Sequence, residues 1–87
     1  MKTGLIGLTR YLATYWAEKK VRCNAICPGG VYNEQPRSFV KEVTERIPMQ
    51  RMANIDEYQG TLLWMLSDAS SYLNGAIVPV DGGRTVW

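Results

Sequence analysis

Apolar residues recur with the period of a helix along residues 4–19, where Leu5, Leu8, Leu12, Tyr15 and Trp16 fall on one stripe. Lys19 and Lys20 close that stretch, where positive charge suits the C-terminal end of a helix dipole. The pattern then switches. Residues 21–27 are short and mostly apolar, as in strands buried within parallel sheets, and Pro28-Gly29-Gly30 stops them. Residues 31–36 read as loop, with Asn33 and Pro36 as breakers. A short helix fits 37–46, carrying Phe39, Val40, Val43 and Ile47 on one side and ending before Pro48. Asn54 and Glu57 have the spacing of a capping box and open a helix over 55–67, with a stripe of Tyr58, Leu62, Met65 and Leu66. Gly60 costs that helix about 1 kcal/mol against Ala and so points to a close helix–sheet contact. Ala76-Ile77-Val78-Pro79-Val80 is a final strand, closed by Asp81-Gly82-Gly83. Pro79 has no N–H for a ladder, which places this strand at a sheet edge.

The order helix, strand, short helix, helix, strand predicts an α/β fold. Two strands joined by a helical crossover form a right-handed parallel βαβ unit. A doubly wound, Rossmann-like sheet needs two βαβαβ halves, and this pattern supplies little more than one βαβ. Residues 1–87 therefore read as a single incomplete domain, the C-terminal portion of such a sheet. Asn74-Gly75 would signal a hairpin between alternating strands. The turn-like Ser67–Ser71 precedes it, so Gly75 reads as the entry to the last strand.

Composition removes several function classes. Ten Lys+Arg against eight Asp+Glu leave a net charge of +2, too weak and too evenly spread for a nucleic-acid surface. The longest apolar run is Leu62–Leu66, far short of the ~20 residues a membrane helix needs, and no signal peptide is visible. The expectation is a soluble, cytoplasmic chain. Cys23 and Cys27 in an extended strand would lie roughly 13 Å apart, whereas a disulfide needs less than ~7 Å. With no His and no further Cys there is no zinc ligand set, and the thiols are expected to be buried and structural.

Four segments carry a resemblance. Lys2-Thr3-Gly4-Leu5-Ile6-Gly7-Leu8-Thr9-Arg10 resembles the stretch after the catalytic tyrosine of short-chain dehydrogenases/reductases. Val21–Gly29 is similar to that family's strand ending in Asn-Ala-Ile-x-Pro-Gly. Leu66–Gly75 and Val80-Asp81-Gly82-Gly83 are similar to its C-terminal part. Order and spacing agree from Lys2 to Gly83, about the last third of the family pattern. The resemblance implies an NAD(P)-dependent oxidoreductase, with NAD or NADP as cofactor and an alcohol or carbonyl compound as its small-molecule substrate. Lys2 matches the catalytic lysine, whose ammonium stabilises a tyrosinate and bonds the nicotinamide ribose. The tyrosine, the Gly-rich pyrophosphate turn, the active-site serine and the asparagine of the relay would precede Met1. On that expectation the chain by itself does not assemble the reaction.

The cofactor-binding candidates are Lys2 and the loop Pro28, Gly29, Gly30, Val31 and Asn33, which resembles the family's Pro-Gly-x-Val-x-Thr segment. Gly29 and Gly30 would let backbone approach a flat ring, and the N–H and C=O of Val31 could pair with the nicotinamide carboxamide. Asn33 replaces the usual threonine and retains donor and acceptor atoms. The bland alternative is a turn ending a strand. Tyr15 and Lys19 form a second Tyr-x-x-x-Lys, but at the wrong end of their helix and on its apolar stripe, so they read as structural. Residues 33–50 correspond to the substrate lid, and their charges read as a solvated face. Asn24 is expected to bond neighbouring backbone, Asp81 to shape the final turn, and Tyr32, Trp64 and Trp87 to pack or lie at an interface. No metal site is expected. A second functional class stays open: an oligomerisation or interaction module, expected to form a homo-oligomer through its exposed sheet edge.

Overall fold

In the computed structural model, residues 2–86 are described, with side chains from Thr3 onward; Met1, Trp87 and the Lys2 side chain lie outside the described residues, and with them the expectations for Trp87 and the Lys2 ammonium. Two strands, β1 (Ala25–Pro28) and β2 (Ile77–Val80), pair with each other. Ala25 N–H donates to Ala76 C=O at 2.9 Å and Gly29 N–H to Val80 C=O at 3.1 Å, so partners ascend together and the pair is parallel. Among the described residues three α-helices, α1 (Lys2–Tyr15), α2 (Arg37–Thr44) and α3 (Gln59–Leu66), complete the α/β order. Contacts divide the chain into two compact units: the chain up to Ile26 with Thr61–Val78, and Cys27–Gly60 with the chain from Pro79 onward.

In the first unit, α1 gives way to a 3-10 turn over Ala17–Lys19, earlier than the helix predicted to run to residue 19. Lys20 takes a left-handed φ of 60°, while Lys20 N–H returns to Ala17 C=O and Val21 N–H to Trp16 C=O. That pair of bonds is a Schellman closure with lysine where glycine is usual, which is why the sequence pattern hides it. The helix buries Thr9 and Ala13 rather than the predicted stripe; Leu5, Leu8 and Tyr15 keep 53%, 52% and 64% of their surface. Two asparagines replace ladder rungs ahead of β1. Asn24 Nδ2 donates to Leu73 C=O and its Oδ1 accepts Ala76 N–H, while Asn74 Oδ1 accepts Cys23 N–H and its Nδ2 reaches Ala13 C=O. The strand predicted from residue 21 therefore begins at Ala25.

Arg22 holds the end of α3. Its guanidinium donates to Met65, Ser67 and Leu73 carbonyls and to the buried Ser70 hydroxyl, at 3.1–3.3 Å. The close contact expected at Gly60 is not there: a Cβ at that position would meet nothing within 4 Å. Both thiols are free and half-buried rather than fully buried. Among the described residues no helix is long and apolar enough to cross a membrane.

The second unit is built around Ile47, 1% exposed, and Met52. Glu57 accepts the Asn54 N–H at 2.9 Å, as the capping-box spacing predicts, and opens a 3-10 turn over Ile55–Tyr58 that leads into α3. Beyond β1, Val31 makes a single parallel bridge to Ala53, which the sequence pattern does not reveal. Gly82 and Gly83 have positive φ, and a Cβ on them would meet Ile47 and Pro48 respectively. Asp81 shapes that turn as expected, its Oδ1 accepting Gly83 N–H at 3.0 Å.

Candidate functional site

Pro28 ends β1, and the chain leaves it as a loop at the strand's carboxyl end, the place where open α/β sheets present ligands. Pro28, Gly29, Gly30, Val31 and Asn33 are thus brought into one continuous segment of the second unit. Lys2 opens α1 in the first unit.

Packing makes its own demand on both loop glycines. A Cβ on Gly29 would stand 2.7 Å from Asp81 Cβ and 2.8 Å from Asp81 Cα, and one on Gly30 would stand 3.2 Å from Met52 and Val43 side-chain atoms. The back of the loop is therefore held against the turn that follows β2 and against α2. The Val31–Ala53 bridge uses Gly30 C=O and Tyr32 N–H, which pair with Ala53 N–H and C=O at 2.8 Å each. Val31 itself keeps both backbone groups out of the bridge.

Those two groups then part ways. Val31 C=O accepts a hydrogen bond from Gln35 Nε2 at 3.0 Å, while Val31 N–H has no partner among the described residues. Gln35 Oε1 in turn accepts Asn33 N–H at 2.7 Å. One side-chain amide thus closes the loop at two points, helped by Glu34 at a left-handed φ of 54°. Gln35 is not marked by the motif; its signal in the sequence is a glutamine two residues beyond Asn33, able to donate and accept at once.

Beside this loop lies a cleft of about 110 Å³ whose lining includes Gly30, Arg51, Glu57, Tyr58, Val80 and Asp81. Its charges are already committed. Arg51 grips Glu57 with both guanidinium arms, and that bond, then the Asn54 N–H, holds the Glu57 carboxyl down to about 2. Asp81 is held below the usual carboxylate range by the Thr85 hydroxyl and then the Gly83 N–H. The Tyr58 hydroxyl donates to Val80 C=O at 3.1 Å. These groups stabilise the walls, while the Val31 N–H and the Asn33 side-chain amide have no hydrogen-bond partner among the described residues.

Tyr15 and Lys19 do not form a site. Tyr15 is exposed and stacks on Tyr11 with ring centroids 5.6 Å apart, and Lys19 lies in the 3-10 turn.

The chain has numerous relatives. A family profile described as enoyl-(acyl carrier protein) reductase matches residues 1–85. D-arabinitol 2-dehydrogenase (ribulose-forming) of Candida tropicalis is 39% identical over 94 residues, covering 99% of this chain and 33% of that protein. A short chain dehydrogenase of Leptospira borgpetersenii with bound NAD+ has a TM-score of 0.92 at 36% identity, covering 97% of this chain and 33% of its own. An Agrobacterium tumefaciens structure with bound NADP has a TM-score of 0.89 at 35% identity, covering 99% and 37%. The chain spans between 33% and 38% of the length of such curated relatives. The α/β architecture is the Rossmann-like one of these structures.

Proposed function

The chain belongs to the short-chain dehydrogenase/reductase family, and on that premise we propose that it serves an NAD(P)-dependent oxidoreductase acting between an alcohol and a carbonyl compound. The observation that carries this reading is the uncommitted Val31 N–H, presented by a loop at the carboxyl end of β1. A nicotinamide carboxamide fits such a donor, and when bound the cofactor would supply hydride exchange. Val31 orients the ring edge, Gly29 and Gly30 keep the loop close-packed, and Asn33 offers a further polar contact. Lys2, in the first turn of α1, would hold the ammonium that favours tyrosinate and bonds the ribose.

The test is a titration with NAD+ and with NADP+, following backbone amide resonances. Weak shifts at Val31 and Asn33 are expected with either dinucleotide. No shift at Val31 at any concentration of either would refute the reading. A second reading, as an oligomerisation module, is favoured by the exposed Leu5, Leu8, Tyr11 and Tyr15 of α1. Sedimentation equilibrium tests it: a concentration-independent monomer would end it.

A further inference from the structure

We propose that Asn74-Gly75 is a self-modification site, a deamidation junction that the fold of the first unit holds shut and that no longer closes once converted. Asn24, Asn33 and Asn54 precede Ala25, Glu34 and Ile55, and only Asn74 precedes glycine. Glycine has no side chain to shield its amide nitrogen, so this pair is the most open in the chain to attack of the backbone on the asparagine amide. The fold nevertheless needs both residues. Gly75 has a left-handed φ of 79°, which a side chain would strain, and Asn74 uses both ends of its amide.

The reaction needs no co-reactant but water. Gly75 N bonds to Asn74 Cγ, the Cγ–Nδ2 bond breaks, and the hydrogen of Gly75 N leaves with Nδ2 as ammonia. Water then opens the cyclic imide. Addition at Cγ gives aspartate; addition at the Asn74 main-chain carbonyl gives isoaspartate, with an extra methylene in the backbone. No atom is oxidised or reduced.

Every group that must move is held. Gly75 N–H donates to Cys23 C=O at 2.8 Å, and Cys23 N–H donates to Asn74 Oδ1 at 3.0 Å. Asn74 Nδ2 donates at 2.8 Å to Ala13 C=O, in the last turn of α1, where helix carbonyls lack partners of their own. The attacking nitrogen is thus tied to Cys23, and the amide plane is pinned at both ends and cannot turn Cγ towards it. Asn74 is exposed, so the barrier is geometric and not a want of water. Attack waits for the junction to open. After conversion, an aspartate oxygen stands where Nδ2 was and faces Ala13 C=O, acceptor against acceptor. Isoaspartate lengthens the main chain just ahead of the Gly75–Cys23 bond.

The full chain is incubated at mildly alkaline pH in buffer, in rising sub-denaturing guanidinium chloride, and fully unfolded. Peptide mass mapping follows amide-to-acid conversion at Asn74, and hydrogen exchange follows the Gly75 amide in the same solutions. Conversion in buffer should be at least about tenfold slower than in the unfolded chain and should rise in step with Gly75 exchange, since both need the Cys23 bond broken. In Asn74→Asp the protection of the Gly75 amide should fall about fivefold, the worth of the lost bond to Ala13 C=O. Equal conversion in folded and unfolded chain, conversion that does not follow Gly75 exchange, or unchanged protection in Asn74→Asp overturns the proposal.

Discussion

Replacing Gly29 by alanine tests whether the loop after β1 is shaped from behind. The new Cβ would stand 2.7 Å from Asp81 Cβ and 2.8 Å from Asp81 Cα, against about 3.5–4.0 Å for carbon atoms in contact. Close to an ångström of separation is required, and one of the opposing atoms is backbone, which has no rotamer to change. The movement must come from the ends of β1 and β2, where Gly29 N–H donates to Val80 C=O at 3.1 Å. Overpacking costs about 1–3 kcal/mol and a strained or lost hydrogen bond about 1 kcal/mol more. About 3 kcal/mol is therefore expected, which for a domain of this size lowers Tm by roughly 12–24 °C.

The assay is thermal unfolding followed by circular dichroism, with two companion variants. Gly30→Ala meets only side-chain atoms, Met52 Cε and Val43 Cγ1 at 3.2 Å, and the methionine can move; its loss should be smaller, about 1 kcal/mol. Gly60→Ala meets nothing within 4 Å and should raise stability by up to about 1 kcal/mol through helix propensity. The reasoning fails if Gly29→Ala melts within about 3 °C of the wild type, or if Gly30→Ala is the worse of the pair.

Two further outcomes concern the polar contacts. Glu57 falls from its ordinary 4.5 to about 2 when folded, because Arg51 and the Asn54 N–H bond its charged form. A depressed carboxyl adds stability that is complete above 4.5 and lost as pH falls through that value towards 2. Glu57→Gln should flatten the Tm profile across that window, and a profile equally steep in the variant would refute the linkage. Arg22→Lys should destabilise by about 2–3 kcal/mol, since an ammonium cannot span the Met65, Ser67 and Leu73 carbonyls that the planar fork reaches; urea midpoints equal to wild type would count against it.

Element order was legible because it rests on periodicity and punctuation, which act locally. Pro28-Gly29-Gly30 and Asp81-Gly82-Gly83 end the two strands as read, and Glu57 caps as its spacing from Asn54 requires. The misread features depend on partners remote in sequence. Lys20 closes the 3-10 turn after α1 in a left-handed conformation that its own chemistry does not advertise. Asn24 and Asn74 stand in for ladder bonds with residues about fifty positions away, so the strand looked longer than it is. The apolar stripe of α1 was read correctly as apolar, yet it is Thr9 and Ala13 that are covered. Periodicity gives the face of a helix and not what lies against it.

The glycines of the candidate site show how a motif can be recognised for one reason and required for another. Pro28-Gly29-Gly30 was assigned to the approach of a flat ring, and Asp81-Gly82-Gly83 to a closing turn. In the second unit they are sterically one arrangement. Gly29 admits the Asp81 backbone, Gly82 admits Ile47 with its Cγ2 2.7 Å from where a Cβ would be, and Gly83 admits Pro48. Met49 N–H then donates to Gly82 C=O at 3.1 Å, and Asp81 is locked by Gly83 N–H. A side chain at any of these points pushes the closing turn away from the loop or from the segment after α2. With the rear of the loop fixed in this way and Val31 C=O bonded to Gln35, the Val31 N–H is held in place without a partner among the described residues. A donor held this rigidly loses little entropy on meeting an acceptor, so the glycines that pack the turn also pre-organise the Val31 N–H in front of it.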